Sequence, residues 1–332
     1  MVNIVRFHAF GEADVLKLED LPLTEPNDGE VRIKVEAIGL NRGEVAFRQG
    51  KYIEAPDQLP STLGYEAAGI IDAIGSGVSG FQIGDRVSTI PAFSMKQYGV
   101  YGESAIVPAS AVAYYPERLS PQEGTAIWMQ YITAYGALVE YGQVKAGDFV
   151  LITAASSSVG YAAIQIAKAL GAVAIATTRG AAKKQMLLDN GADYVVVTNE
   201  EDLVTKVMEI TNGQGANLIF DSIAGAFVET LANVAARGAT IFEYGALSPD
   251  AVTPFPLFPA IQKGLKIQGY ALFEITSDAT KLEKAKQFIY NGLDSGKLVP
   301  ILDRVFPLAQ IVEAHRYMES NQQNGKIIVT VP

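Results

Sequence analysis

From residue 149 onward the chain repeats one unit: a short apolar run, a turn, then a segment with helical period. Residues 149–155 (FVLITAA) read as a buried strand, and Ser156, Ser157 and Ser158 mark a loop and helix start. Val159, Ala162, Ala163, Ile166, Ala167 and Leu170 then recur at the spacing of one packed helix face. Gly171 ends that helix. Strand-like runs follow at 172–178, 194–197, 217–223, 239–245 and 266–272, with helices between them. Parallel neighbours need a crossover, so this alternation predicts a doubly wound parallel sheet in an α/β fold.

The first third has another rhythm. Residues 30–38 (EVRIKVEAI) alternate apolar and polar with period two, and 67–74 (AAGIIDAI) and 84–90 (GDRVSTI) follow between Gly and Ser turns. Short strands with Gly/Pro punctuation predict an antiparallel, barrel-like, β-rich domain. The tail predicts helices at 278–293 and 309–319 and a closing strand at 325–331. A length of 332 residues is long for one core and fits two domains.

Composition excludes some functions. A formal charge of −10 repels phosphate backbones, and no Lys/Arg run exceeds Lys183-Lys184, so neither nucleic acid nor an anionic membrane is an expected partner. The chain has no cysteine, which removes disulfides, thiolate nucleophiles and Cys-ligated zinc. No stretch suggests a membrane span, and the first residues lack a signal-peptide pattern; a cytoplasmic protein is expected.

The chemical signal lies in the loop after the strand at 149–155. Aligned to G-x-G-x-x-G, its glycine positions are Ala155, Ser157 and Gly160, so one glycine of three is present. The context strengthens it: small residues at the start of a helix, Ser157, Ser158, Val159 and Gly160, let backbone N–H groups meet a pyrophosphate. The other reading is a Ser-rich helix cap with no ligand. About 20 residues on, where an NAD site carries an acid, the chain has Thr177, Thr178 and Arg179, then Lys183. Hydroxyls and cations suit a 2′-phosphate, so NADPH is the expected cofactor.

With these residues in view, the sequence resembles the zinc-independent quinone oxidoreductase (zeta-crystallin-like) branch of the medium-chain dehydrogenase/reductase superfamily. The likeness runs over nearly the whole chain: GLNRGEV at 39–45, LGYEAAGII at 63–71, GFQIGDRV at 80–87, ITAYGAL at 132–138, GADYV at 191–195 and GKIIVTV at 325–331. It implies a GroES-like catalytic domain at 1–122, a Rossmann NADPH-binding domain at 123–264, and a segment at 265–332 that returns to the catalytic domain. Positions that hold zinc in metal-dependent relatives match Asn41, Tyr65 and Met129 here, so no metal is expected, and His8 and His315 lie away from these segments.

The resemblance also implies site residues. Tyr52 matches a tyrosine proposed to donate a proton or orient the acceptor, against the plainer reading of a surface tyrosine in a Pro-bounded loop. Asn41 is a candidate donor to an acceptor carbonyl or a cofactor ribose. Thr133, Tyr244, Gly245 and Phe273 are candidates to border the nicotinamide, the last three because strand carboxyl ends line the crevice of such sheets. The expected reaction is hydride transfer from NADPH to a quinone or similar small, electrophilic, conjugated acceptor. Reduction of an activated C=C bond and an NADPH-binding role without turnover remain alternatives. A homodimer is expected from the resemblance.

Overall fold

In chain order the strands are β1 (Val2–Phe7), β2 (Leu16–Leu21), β3 (Glu30–Gly39), β4 (Glu66–Ile74), β5 (Arg86–Thr89), β6 (Ser104–Pro108), β7 (Val112–Tyr114), β8 (Phe149–Ile152), β9 (Val173–Thr178), β10 (Tyr194–Val197), β11 (Ala216–Asp221), β12 (Ala235–Glu243), β13 (Lys266–Gly269), β14 (Leu302–Pro307) and β15 (Lys326–Thr330). The computed structural model describes residues 1–250 and 252–332. It divides into one unit of Met1–Met129 with Pro300–Pro332 and a second of Gln130–Val299.

The first unit is built on a sheet of order β14-β15-β3-β4-β5-β7, with β6 also paired to β3. All its pairings are antiparallel except β14 with β15. The period-two pattern of β3 buries Val31, Ile33, Val35 and Ala37 as expected. Arg32, a polar member of the pattern, is buried too. Its guanidinium donates to Asp72 (2.8 Å) and Glu25 (2.9 Å), which makes the burial tolerable.

The second unit is a six-stranded parallel sheet of order β10-β9-β8-β11-β12-β13. Counted from its own first strand this is 3-2-1-4-5-6, the doubly wound Rossmann order expected from the βα alternation. The order reverses between β8 and β11. Leu151, Ile175, Val196, Ile219 and Ile241 of the strands pack with Val207 and Leu231 of the helices Leu203–Ile210 and Phe227–Val234. The helix Ser158–Ala169 lies so close to the strand it follows that a Cβ on Gly160 would stand 2.4 Å from the Ala155 carbonyl oxygen.

Three boundaries differ from the sequence reading; the first unit runs on to Met129 and does not end at 122. β12 starts at Ala235, not 239, and runs through Gly238 at φ +75°, a break in the apolar run that hides its first residues. The segment expected to leave at 265 stays in the second unit until Val299, because β13 pairs with β12 from Thr240–Lys266 to Glu243–Gly269 and completes the sheet.

Candidate active site

In the second unit, the loop between β8 and the helix Ser158–Ala169 is shaped by Ser157, whose hydroxyl accepts from the Gly160 N–H at 3.0 Å. The Ser cap is thus real, and it does not use up the loop's donors. It uses one N–H, while helix geometry leaves those of Ser158 and Val159 without intrahelical acceptors. Lys183 leans over this loop, its ammonium donating to the Ser156 hydroxyl at 3.3 Å. Thr178 ends β9 with its hydroxyl bonded to Gly180 O (3.3 Å), and Arg179 beside it is exposed. Two cations and a helix N-terminus carrying no acid in its first turn form an electropositive shelf at the sheet's carboxyl edge. That donor set fits a dinucleotide with an additional phosphate.

At the reversal point Asp221 is fully buried and accepts from the Thr153 hydroxyl and from Ala224 N (2.7 Å). The Thr153 oxygen in turn accepts from Ser222 N at 3.1 Å. These bonds lock the ends of β8 and β11 together. Glu243, in register with Asp221 on β12, has both carboxylate oxygens buried with no donor on them. Two ionised carboxylates have no proton to share; burial first, and Asp221 second, push Glu243 up to about 8. At neutral pH Glu243 therefore keeps its proton and can donate it to Asp221.

Tyr244 stacks on Phe220 with ring centroids 3.9 Å apart and planes at 13°, and its phenol is pushed up by burial. Gly245 beyond it is exposed. Phe273 opens the short helix Phe273–Thr276 and is half-buried. Thr133 is buried on the helix Trp128–Tyr135, which Tyr270 ties to the end of β13 by donating to Ile132 O at 3.3 Å. The tie joins the helix bearing Thr133 to the segment leading into Phe273.

In the first unit, Asn41 precedes the helix Arg42–Arg48 and lies in a buried polar network. Its Oδ1 accepts from the Lys326 ammonium at 2.6 Å. Its Nδ2, with two hydrogens, has three acceptors at 3.2 Å: Gly39 O, Glu44 and Glu66. The amide is therefore committed to the scaffold. Lys326 and Glu66 are both fully buried and bonded to each other, and Glu66 also accepts from Met129 N at 2.8 Å. The lysine stem runs through room left by Gly39, where a Cβ would stand 2.7 Å from Lys326 Cε.

Glu44 collects four donors: Asn41 N (2.6 Å), Asn41 Nδ2 (3.2 Å), Tyr65 N (3.1 Å) and the Tyr101 hydroxyl (2.5 Å). Burial still holds its carboxyl above the usual range. The Tyr101 proton is spent on Glu44, so His315 Nε2, 3.3 Å away, is the N–H that donates to the Tyr101 oxygen. This leaves Nδ1 as the bare nitrogen, and it has no partner. Burial, with Arg48 adding repulsion, pushes His315 down to about 3, so it is neutral and structural.

These contacts test the metal positions. Asn41 is taken by an ammonium, Tyr65 by Glu54, and Met129 offers a thioether. Among the described residues no three His, Asp or Glu side chains are grouped to hold an ion. The donor set does not fit zinc.

Tyr52 follows the first helix in a half-buried loop, its hydroxyl within hydrogen-bonding reach of that of Tyr65. Burial, with Glu54 and Glu44 nearby, pushes its phenol up to about 12, so it is protonated at neutral pH. Lys326, Glu44, Tyr101, Glu54 and Glu243 are absent from the sequence reading. Only Glu243 offered a local signal, beside Tyr244 at a strand end.

Replacing Lys326 by Met strands a buried carboxylate and is expected to cost about 3–5 kcal/mol, whereas pairing it with Glu66→Leu should recover much of that loss. Urea unfolding of the two variants checks this. For Glu243, the unfolded chain loses the proton above the ordinary carboxyl value of 4.5 but the folded chain keeps it to about 8. The folded state then holds more protons, so stability falls as pH rises through that window. Glu243→Gln should remove this slope, gaining melting temperature over the parent most at pH 8; parallel melting curves from pH 5 to 8 would refute it.

The Alcohol dehydrogenase GroES-like domain family matches residues 27–117, and the Zinc-binding dehydrogenase family matches 158–288. The quinone oxidoreductase of Sus scrofa is 32% identical over 331 residues, covering 99% of this chain and 98% of the relative. The crystal structure of Escherichia coli quinone oxidoreductase complexed with NADPH superposes with a TM-score of 0.90 at 30% identity, covering 99% of each chain. The JamJ enoyl reductase structure gives a TM-score of 0.88 at 25% identity over 100% of both chains. With a matching fold and full-length identity of this order, the chain belongs to the quinone oxidoreductase branch of the medium-chain dehydrogenase/reductase superfamily.

Proposed function

We propose that this oxidoreductase uses NADPH to reduce a quinone or similarly conjugated acceptor without zinc. The observation that carries the reading is the Thr178, Arg179 and Lys183 cluster beside the loop at 156–160. Ser157, Ser158, Val159 and Gly160 would face the pyrophosphate. Arg179 and Lys183 would hold the 2′-phosphate by charge-assisted bonds, with Thr178 shaping the strand end under it. Thr133, Tyr244, Gly245 and Phe273 are the residues we place at the nicotinamide. When bound, NADPH supplies the hydride. The second unit is then the cofactor domain and the first the catalytic one.

The catalytic unit has a buried cation, but Lys326 is spent on Glu66 and Asn41 and polarises nothing further. Asn41 acts as a fixed part of the scaffold, and only a shift of its amide would let it meet a ribose or carbonyl. The acceptor must therefore be electrophilic by itself, as quinones are. A second reading, reduction of an activated C=C bond, is favoured by Tyr52, a protonated hydroxyl fit to deliver a proton.

The dimer we infer pairs the outer edge of β13, the last strand of its sheet, with a second copy. Beside it Phe258 is 82% exposed and Ile261 70%, with Phe255 and Leu257 close in sequence, an apolar surface costly to leave in water. Among the described residues no helix is long and apolar enough to cross a membrane. The compartment we propose is the cytoplasm.

NADPH oxidation against quinones, enals and enones, with NADH as control, tests the reading. Turnover should need NADPH, and Arg179→Ala with Lys183→Ala should raise KM for NADPH by more than about 100-fold, from two charged bonds of about 1.5–3 kcal/mol each, while leaving NADH use little changed. Equal loss with both cofactors refutes the phosphate assignment. Phe258→Glu with Ile261→Glu should give a monomer in light scattering; an unchanged mass refutes that interface.

A further inference from the structure

Three side chains from separate stretches of the first unit meet behind Tyr52. Tyr65 is fully buried, its ring 5.6 Å from Phe93 and 6.4 Å from Tyr52 at 57°. Its hydroxyl donates to Glu54 Oε1 at 3.0 Å and lies within hydrogen-bonding reach of the Tyr52 hydroxyl. Glu54 is held at both oxygens, by Met95 N on Oε1 (2.9 Å) and the Ser94 hydroxyl on Oε2. It is half-buried and so reaches solvent, with the exposed ion pair Lys96–Asp57 (2.6 Å) close to it. Tyr52 is seated on the first helix, where a Cβ on Gly43 would stand 3.1–3.3 Å from its ring edge and hydroxyl.

A buried phenol with one proton-exchanging neighbour on each side is a conduit. We propose that Tyr65 and Glu54 form a proton relay that reloads Tyr52 from solvent, equipping this site for acceptors that need a proton at carbon, the α,β-unsaturated carbonyl class. The inference rests on the reading of Tyr52 as the proton donor.

The step balances. Hydride from NADPH forms one new C–H bond at the acceptor's β-carbon. The Tyr52 O–H bond breaks and its proton forms the second at the α-carbon. The Tyr65 O–H then breaks as that of Tyr52 re-forms, and Glu54, having taken a proton from solvent, returns one to Tyr65. One hydride and one solvent proton are consumed per turnover. The net transfer, from solvent to the Tyr52 phenolate, runs downhill at neutral pH because that phenol is pushed up to about 12, while passage through Glu54 and through the more strongly raised Tyr65 is transient. Tyr65 and Glu54 touch neither acceptor nor cofactor in this scheme and are positioning residues.

The test uses the full-length enzyme, with melting curves confirming that each variant folds. On an enone, Tyr52→Phe should lose about 100-fold in kcat. Tyr65→Phe, which keeps its packing on Phe93, and Glu54→Gln should each lose roughly tenfold with KM little changed and a larger solvent isotope effect, and Glu54→Asp should recover part of the rate. A readout without turnover is the ionisation of Tyr52, taken as the difference in absorbance titration between each background and its Tyr52→Phe counterpart. Glu54→Gln removes a nearby negative charge and should lower the midpoint, while Tyr65→Phe removes a stabilising hydrogen bond and should raise it. If Tyr52→Phe is slow but Tyr65→Phe and Glu54→Gln keep the parent kcat, isotope effect and midpoint, the relay is wrong and the Tyr52 reading stands. If Tyr52→Phe itself keeps the parent kcat on enones, the Tyr52 reading falls, and the relay with it.

Discussion

The buried ion pair of Lys326 with Glu66 is the constraint on which the catalytic unit depends. A fully buried lysine is tolerated only beside a partner charge and further acceptors, and here both are present: Glu66 takes one proton bond and Asn41 Oδ1 another. Glu66 is in turn shared with Asn41 Nδ2 and Met129 N. The pair therefore couples β15, at the end of the chain, to the start of the first helix, to β4 and to residue 129. It also explains why β15 sits inside its sheet, between β14 and β3, and not at an edge. Without the returning tail, Glu66 and Asn41 would face a hole where a cation belongs.

The same arrangement fixes what Asn41 can do. Every hydrogen-bonding atom of its amide has a partner, so its rotamer is set by the network. Glu44 extends that order through Tyr101 to His315, a neutral histidine whose tautomer follows from where the Tyr101 proton goes. The cofactor unit solves its own polar problem differently. Asp221, Thr153 and the backbone of Ser222 and Ala224 close the gap between β8 and β11 with hydrogen bonds, and Glu243 joins by keeping its proton. One unit neutralises a buried acid with a lysine, the other with a proton.

How much of this was legible in the sequence follows from the range of each signal. The parallel sheet comes from local period: an apolar run, a turn and a helix face repeat, and β8 to β13 all appear within a few residues of their expected ends, while their order in the sheet is seen only in the structure. The β12 start was hidden because Arg237 and Gly238 interrupt the apolar pattern while the backbone continues as strand. The point of return was misplaced because residues 266–269 read as a strand without showing which sheet they join. The loop proposed to hold the pyrophosphate stands out in sequence because its residues are consecutive. The lysine network was not, since Asn41 and Lys326 are separated by 285 positions and Tyr101 and His315 by 214. No window spans such contacts, and Lys326 reads as an ordinary charge at the start of an apolar run.

The two halves of the chemistry now bear on one another. A conjugated acceptor receiving hydride gains negative charge, and something must stabilise it in the transition state. The catalytic unit's fully buried cations cannot, because Lys326 is saturated and Arg48 is paired with Glu319. What remains is a neutral donor whose strength can be tuned. In the proposed scheme Tyr52 is that donor, and its acidity is balanced by opposing neighbours: Tyr65 favours the phenolate, while burial, Glu54 and Glu44 favour the phenol. With burial and the two carboxylates prevailing, the hydroxyl stays protonated and gives up its proton only when the developing charge beside it exceeds that of the carboxylates. The hydroquinone monoanion left by hydride addition to a quinone carries its charge on oxygen, where water can meet it, and makes little demand on such a group. A carbanion at carbon makes a large one, and the proposed Tyr65–Glu54 relay would have a use only for the second.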